Sequence, residues 1–503
     1  MESIMSKKKE VTGYPLIIGY LGCMLMIIGT ITLLPLLTLL FYPQDAHEAS
    51  YFIIPGILSI MIGYLLYFNI RGKAKGKLQR NQDAIIVVSV WMLAIFIGAL
   101  PFVLSGSYNL TQGIFETTSA WSTTGLTVVN VDVTSHLFLM HRSTILFFGG
   151  IGLVIVMLSV LSDSYGMRLY NAEGHNDRLL PNLLKSSRII VSIYSGIILG
   201  GILLYLCFGM NLFDAIIHSI GAVSTGGFST HGESIAYYKS FPIELITIVL
   251  MILGNINFLA HLFLLKGKFR RFFHYCEIRF SLILIAFITP IVGFLLMQAF
   301  TLNLQEGMRV ALFQVVTALT TTGFQTVKSF ATLPSSVMII LIVLQLIGGG
   351  IGSTAGGIKQ YRICIIGKSL YWRIRDLFYS KKVVFTHKIS RVERDEKVSD
   401  KEVSETGIYI FLYMVIFFIG SFILTCYGNS IQNSMFDFSS ALSTVGLSSG
   451  IMCFDAPSGV LWTGTFGMFI GRLEIFVVIL ATLRTGKDIR NAFHRIKKKK
   501  KLL

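Results

Sequence analysis

Residues Ser119–Leu126 read SAWSTTGL, and nearly the same phrase returns three times, as Gly221–Phe228 (GAVSTGGF), Thr317–Phe324 (TALTTTGF) and Ser440–Leu447 (SALSTVGL). Each copy runs small–Ala–apolar–Ser/Thr–Thr–x–Gly–apolar, and each lies between two long apolar segments. The turn glycines Gly125, Gly227, Gly323 and Gly446 are spaced by 102, 96 and 123 residues. Four Thr-x-Gly turns in one chain can surround an axis with backbone carbonyls, and such a ring replaces the water shell of a bare cation. An ion-conducting pore is therefore the first reading.

The rest of the chain is built for a bilayer. Of 503 residues, 53% are hydrophobic and 14% charged, with a mean hydropathy of +0.70. Apolar stretches near or above the ~20 residues needed to cross a membrane recur throughout. This excludes an ordinary soluble enzyme. Two leading spans, 14–42 and 51–70, are retained rather than cleaved, because the first is too long for a signal-peptide core. One unit then repeats four times as span, re-entrant loop, span, over 82–162, 186–266, 277–377 and 405–483. The fold class expected is an all-α integral membrane protein, with four span–pore-loop–span repeats in pseudo-fourfold symmetry plus two extra N-terminal transmembrane helices. The corresponding segments are 1–80, 81–180, 181–275, 276–404, 405–485 and a basic tail, 486–503. A charged insert, Arg373–Glu405, lengthens the third repeat.

The net charge of +17 is distributed by side. Lys7–Lys9, then Arg71, Lys73, Lys75, Lys77 and Arg80, then Arg168, Arg178, Lys185 and Arg188, then residues 266–279 and 359–404, and finally Lys497–Lys501 are basic. The segments 43–50, 105–137 and 428–460 contain no Lys or Arg, 209–240 contains only Lys239, and 301–335 contains Arg309 and Lys328. The alternation places the basic segments and both termini in the cytoplasm and all four turns outside. The tail suits anionic membrane lipid rather than nucleic acid. Six scattered cysteines, with no CxxC pair, suggest core packing and no metal cluster.

The stretch before each turn is too short to span: Thr111–Ala120, Leu212–Gly221, Glu306–Ala318 and Ile431–Ala441. A half-helix that dips in and returns is tolerated only inside protein or beside water. Its C-terminal end carries partial negative charge and favours a cation on the axis. Seven residues before each repeated Thr stands a polar side chain, Glu116, His218, Gln314 or Asp437. The ion path is assigned to Thr123, Thr124 and Gly125; Thr225, Gly226 and Gly227; Thr321, Thr322 and Gly323; and Thr444, Val445 and Gly446. Neutral carbonyls without a carboxylate ring favour a large monovalent ion, with potassium preferred over sodium. Transported potassium is the only ion expected, and no cofactor is bound covalently.

Two further features stand apart from the turns. After the apolar run Ser336–Ile347 come Gly348, Gly349, Gly350, Gly352, Ser353, Thr354, Gly356 and Gly357. Each Gly costs about 1 kcal/mol in a helix interior, so this span should break. Exposed backbone at that depth must line a cavity, and a flexible gate below the filter is expected. The GSTAGGIK stretch lacks the Gly-Lys-Ser/Thr of a phosphate loop and follows no strand. Arg472 falls in the apolar run Leu461–Leu483, where an arginine costs roughly 2.5–3.5 kcal/mol and faces the bundle interior. It is expected to reach the cavity under the filter as a barrier to cations. An ion pair with Glu116 or Asp437 is the structural alternative. Arg142 reads as a snorkelling or loop-pairing residue.

These turns, together with Phe148–Ile155 (FGGIGLVI), Met167–Gly174 (MRLYNAEG), Gly348–Lys359 (GGGIGSTAGGIK) and Gly471–Phe476 (GRLEIF), resemble the TrkH family of bacterial potassium-transport subunits. That family lies within the superfamily that includes KtrB, plant HKT and fungal Trk proteins, and the two leading spans fit TrkH rather than KtrB. The resemblance implies potassium uptake through one pore per chain and potassium preference from the glycine at each turn. It also implies a gate in the third repeat and a homodimer in the bacterial plasma (inner) membrane. A TrkA-type cytoplasmic, nucleotide-binding regulatory subunit is the implied partner. Val445 and Gly226 depart from the pattern at positions expected to face away from the axis. No catalytic signature is present, and uptake coupled to protons or sodium is the rival mechanism.

Overall fold

The computed structural model describes residues 11–71, 81–152, 183–379, 387–391 and 395–500. Lys7–Lys9, Lys73, Lys75, Lys77, Arg80, Met167–Gly174, Arg178, Lys501 and the end of the Phe148–Ile155 stretch lie outside them.

The chain opens with α1 (Tyr14–Leu33), two 3-10 turns (Leu34–Leu40 and Pro43–Glu48) and α2 (Ala49–Phe68). α3 (Gln82–Leu104) leads into the half-helix α4 (Leu110–Trp121), the first turn, and α5 (His136–Ile151). The second repeat is α6 (Leu183–Cys207), half-helix α7 (Leu212–Val223), α8 (Phe241–Asn255) and α9 (Phe258–Leu265). A short α10 (Phe269–His274) precedes the third: α11 (Cys276–Phe300), half-helix α12 (Leu304–Leu319), α13 (Ser335–Ile347) and α14 (Gln360–Leu377). A two-stranded hairpin, β1 (Lys388–Ser390) and β2 (Asp395–Lys397), pairs Ile389 with Glu396. The fourth repeat is α15 (Asp400–Cys426), half-helix α16 (Ile431–Leu442), α17 (Ser458–Leu473) and α18 (Ile475–Lys500).

Among the described residues, six helices are long and apolar enough to cross a membrane: Tyr14–Leu40, Pro43–Phe68, Gln82–Leu104, Ser187–Cys207, Cys276–Phe300 and Asp400–Cys426. The first span of every repeat is thus one rod. The second is not. α8 and α9 bend by 112° at Ile256 and Asn257. α13 stops at the glycine cluster, where Gly348 takes φ 67. The run Leu461–Leu483 is split at Glu474, which takes φ 60. Arg472 consequently sits in the last turn of α17 and not in the middle of a continuous span.

The chain forms two compact units. The first comprises residues 1–113, 152–187 and 473–503. Within it α1 and α2 meet through glycines seven apart on each helix. A Cβ on Gly22 would strike the Gly63 carbonyl, and one on Gly29 the Gly56 carbonyl. Close backbone approach of this kind drives helix association where lipid removes the hydrophobic incentive. The Tyr14 hydroxyl donates to Asp488 at 2.9 Å, tying the start of α1 to α18.

The second unit, 114–151 and 188–472, holds all four turns. Its long rods carry exposed Phe287, Phe411 and Phe422, whereas the C-terminal turns of the half-helices are buried. On its insert side Arg391 donates to the Tyr361 hydroxyl (2.7 Å) and to Glu402 (2.8 Å) and pairs with Glu396 (3.0 Å). Burial opposes the Arg391 charge, but Tyr361, Glu396 and Glu402 outweigh it and raise its pKa. The hairpin is thereby fastened to the first turn of α14, directly after the glycine-rich segment. Of the cysteines, Cys23 and Cys276 are buried and Cys364 half-buried, whereas Cys207, Cys426 and Cys453 are exposed; core packing explains only the first two.

Candidate functional site

All four half-helices start and stop by the same chemistry. At the start, Asn109, Asn211, Asn303 and Ser430 accept the backbone N–H three residues on, from Gln112 (2.9 Å), Asp214 (2.8 Å), Glu306 (2.8 Å) and Asn433 (3.3 Å). Asn and Ser suit this position because their short side chains reach an otherwise unpaired donor. At the end, the N–H of Thr123, Thr225, Thr321 and Thr444 donates to Ala120, Ala222, Ala318 and Ala441 (3.2–3.3 Å). The next N–H, of Thr124, Gly226, Thr322 and Val445, donates to Ser119, Gly221, Thr317 and Ser440 (2.8–3.0 Å). These are the paired 5→2 and 6→1 bonds of a Schellman helix end, which turns on a left-handed residue.

That residue is a threonine in every repeat, with φ of 55, 52, 52 and 52° at Thr123, Thr225, Thr321 and Thr444. A β-branched side chain is a true outlier there and costs of order 1–3 kcal/mol. Four identical outliers mean that the surroundings enforce the geometry. The glycine two residues on is also left-handed, at φ 93, 58, 90 and 99°. Its N–H is held by the Oγ of Ser119 (3.0 Å), Thr317 (3.1 Å) and Ser440 (3.0 Å), and in the second repeat, where position 221 is glycine, by the Gly221 carbonyl (3.2 Å). Every turn N–H is satisfied from within its own half-helix. Among the described residues, none of the twelve turn carbonyls accepts a hydrogen bond from protein.

The four turns close on one another. A Cβ built on Gly125 would fall under 3.0 Å from the Gly226 carbonyl oxygen. One on Gly227 would strike Thr322 O, one on Gly323 Val445 O, and one on Gly446 Thr124 O. Each turn glycine thus abuts the carbonyl of the middle residue of the next turn, and the sequence one, two, three, four returns to one. Only glycine permits both the close approach and the positive φ. The four glycines stay partly accessible, while the two residues before each are buried. The middle hydroxyls face back into their own repeats: Thr124 Oγ1 lies 2.7 Å from Ser122 Oγ, and Thr322 Oγ1 2.8 Å from Thr320 Oγ1. Val445 is fully buried at the same position.

The polar side chains seven residues before each Thr are staples for the outward limb of the turn. Glu116 accepts from the Thr127 hydroxyl (2.9 Å) and Val128 N–H (2.9 Å). His218 bonds Ser229 Oγ (2.9 Å), and Gln314 donates to Thr326 Oγ1 (3.1 Å). Asp437 accepts from the Ser448 hydroxyl (2.8 Å) and the Ser449 N–H (2.6 Å). Arg142 corrects the sequence reading. It does not snorkel; it is 2% exposed, pairs with Glu116 at 2.6 Å and stacks 4.0 Å over the Phe228 ring. Phe228 follows Gly227, so this buried pair ties the first turn to the second. Removing one member of such a pair typically costs ~3–5 kcal/mol, because it strands the other.

The glycine-rich segment lies against the ring on the side of its left-handed threonines. Thr354 Oγ1 is 3.0 Å from both the Val223 and Gly254 carbonyls and accepts from Thr225 Oγ1 at 3.1 Å. The Gly356 N–H donates to Thr321 Oγ1 at 2.8 Å, and a Cβ on Gly356 would overlap Thr444 Oγ1. Arg472 donates to the Thr354 carbonyl at 2.7 Å and to the Gly149 carbonyl. Its partners are therefore backbone carbonyls of the segment and of the first repeat, not Glu116 or Asp437. Gly348, Gly349, Gly350 and Gly352 are bound on the far side. The Gly350 N–H donates to Asn255 O (3.2 Å), Ile351 N–H to Glu277 (3.0 Å), Phe258 N–H to Gly352 O (3.1 Å), and Gln360 Nε2 to Gly348 O (3.0 Å). Gly357 packs its backbone on Gly348.

A single chain whose four re-entrant turns meet in this way has counterparts of known structure and name. The family model "TrkH: Cation transport protein" matches residues 48–487. This chain belongs to the TrkH family. An uncharacterised cation transporter of Methanocaldococcus jannaschii is 32% identical over 485 residues, 95% of this chain and 96% of the relative. The Trk system potassium uptake protein TrkH of Halomonas elongata is 29% identical over 480 residues, 92% of this chain and 97% of the relative. The crystal structure of the potassium transporter TrkH from Vibrio parahaemolyticus superposes with a TM-score of 0.81 at 26% identity, covering 93% of this chain and 98% of that one.

In this TrkH-family member the structure brings together all twelve turn residues, Ser353, Thr354, Gly356 and Arg472. Asn255, Asn257, Glu277 and Gln360 also hold the glycine-rich segment, and sequence reasoning passed over them. The Asn-Ile-Asn break at 255–257 carries the available signal, since Asn caps the helix that follows: the Asn257 side chain accepts the Leu259 N–H at 2.7 Å.

Proposed function

We propose that this TrkH-family chain is a potassium-selective uptake pore of the bacterial plasma membrane. It is channel-like, and the glycine-rich segment 348–357 gates it. One observation carries the proposal: the closed ring in which each turn glycine meets the next turn's carbonyl. Carbonyls with no protein donor are available to a dehydrated ion, and neutral oxygens without a carboxylate ring suit a large monovalent cation. The filter is Thr123–Gly125, Thr225–Gly227, Thr321–Gly323 and Thr444–Gly446. Arg472, adjacent to Thr354, places a fixed positive charge beside the gate. The names of the relatives support potassium as the ion.

The sequence segments 81–180, 181–275, 276–404 and 405–485 are proposed as the four pore repeats around a pseudo-fourfold axis, with 1–80 leading and 486–503 as the cytoplasmic tail. A homodimer with one pore per chain, and control by a TrkA-type cytoplasmic nucleotide-binding subunit docking near the hairpin and α14, complete the proposal. The transported ion supplies the only cofactor, and the reaction is transport rather than catalysis.

In planar bilayers holding the purified chain, current should reverse at the potassium equilibrium potential and stay there when the proton or sodium gradient is changed. A reversal potential that moves with either gradient would establish coupled symport instead.

A further inference from the structure

The four staples behind the turns hold the same place but not the same charge. Glu116 is matched by Arg142 at 2.6 Å. His218 is neutral: the Ser229 hydroxyl accepts the His231 N–H at 3.0 Å and donates to His218 Nε2, and Nδ1 bonds the Asp214 carbonyl. Gln314 carries no charge. Of the buried carboxylates on the half-helices, Asp214 also has a basic neighbour, His231 at 3.1 Å. Asp437 is fully buried and, among the described residues, pairs with no Lys, Arg or His. Its Oδ1 accepts the Ser449 N–H at 2.6 Å, and its Oδ2 the Ser448 hydroxyl at 2.8 Å and the Ile451 N–H at 3.3 Å. The Ser448 hydroxyl accepts the Gly450 N–H at 2.9 Å and turns its own proton to Asp437. Burial opposes the charge on Asp437, and the donors from Ser448, Ser449 and Ile451 support it. With both oxygens engaged as acceptors, the carboxylate is held ionised.

We infer that the unmatched Asp437 carboxylate sets how tightly the four-turn ring holds a cation, acting through its field without touching the ion, while the carbonyls set which monovalent ion is chosen. The inference rests on the filter reading above and adds a charge to it. Ser448 stands two residues after Gly446. Two residues reach at most ~7 Å, which places the carboxylate within about 12 Å of that glycine. At this distance, with an effective dielectric constant of about 20, one negative charge raises the affinity for a monovalent cation about tenfold. A field acts on charge alone. Potassium and sodium therefore gain by the same factor, and a divalent ion gains by its square.

Asp437→Asn keeps the size of the side chain and removes its charge. With the full-length chain in liposomes, the rubidium concentration giving half-maximal uptake should rise about tenfold, and the rubidium-to-sodium preference should stay at the parent's value. Barium, a divalent ion of potassium's size, should inhibit rubidium uptake by the parent. Its inhibition constant should rise about a hundredfold in Asp437→Asn. Asp437→Ser is a second neutral form, so a folding failure of the asparagine form still leaves the question decided. Asp437→Glu, which keeps the charge, should bring both constants back toward the parent. A staple acting by shape alone would shift both ions alike or change the preference. Either result, unchanged constants in the neutral forms, or no inhibition of the parent by barium overturns the inference. Gly323→Ser run in parallel separates the two levels. If it alters the potassium-to-sodium preference while the neutral Asp437 forms behave like the parent, only the field fails. If it leaves the preference intact, the filter reading fails and this inference with it.

Discussion

Gly323→Ser is expected to lower the potassium-over-sodium preference by about tenfold or more, equivalent to ~1.4 kcal/mol of discrimination, while the protein still folds. Gly323 stands at φ 90, and its added Cβ would overlap the Val445 carbonyl oxygen. Backbone cannot yield as the tip of a flexible side chain can, so the seam between the third and fourth turns must open. Val445 O is one of the four carbonyls that the ring presents, and its displacement alters the spacing on which replacement of a hydration shell depends. The left-handed strain adds of order 1–3 kcal/mol against a membrane protein packed around four half-helices. The serine form should therefore assemble with a modestly lower melting temperature. Gly367→Ser on α14 is the control, because a Cβ there meets nothing within 4 Å. Paired rubidium and sodium fluxes into liposomes provide the measurement. A preference equal to the parent's would contradict the assignment of Gly323 to the ion path.

Arg472→Ala should raise cation flux by roughly ten- to hundred-fold, the equivalent of about 1–3 kcal/mol off the barrier. Two effects act in the same direction. The guanidinium is a fixed positive charge beside the glycine-rich segment, in surroundings that screen it poorly. It also holds the Thr354 carbonyl at 2.7 Å while gripping the Gly149 carbonyl, so its loss frees the segment. Arg472→Lys keeps the charge but lacks the planar fork that reaches two carbonyls at once, and should fall between the parent and the alanine form. Initial rubidium uptake per purified chain reads the effect. Flux that stays the same or drops in Arg472→Ala would remove Arg472 from the gate.

The ring was legible because its local chemistry repeats. A helix end closed by 5→2 and 6→1 bonds wants small residues at Ser119, Gly221, Thr317 and Ser440, and a turn pressed against its neighbour wants glycine. Both wishes recur at matching places in the sequence. The glycine cluster at 348–357 announced its break for the same reason. What stayed hidden depended on contacts distant in sequence. Nothing in Thr-x-Gly says that a β-branched threonine will be left-handed, because only the enclosing unit can enforce that strain. Glu474 breaks the last span at a residue that is neither glycine nor proline, and at 255–257 the signal was confined to the helix-capping asparagine Asn257. Arg142 and Glu116 are joined across the first repeat with no helical spacing to reveal them. Arg472 bonds the Thr354 and Gly149 carbonyls, contacts that neither the cavity reading nor the ion-pair alternative named.

The most direct test is anomalous diffraction from crystals of the full chain grown in rubidium or thallium. The account predicts density on the axis enclosed by the carbonyls of Thr124, Gly226, Thr322 and Val445, lost when sodium replaces the heavier ion. Density confined to other places, with none inside that ring, would contradict it.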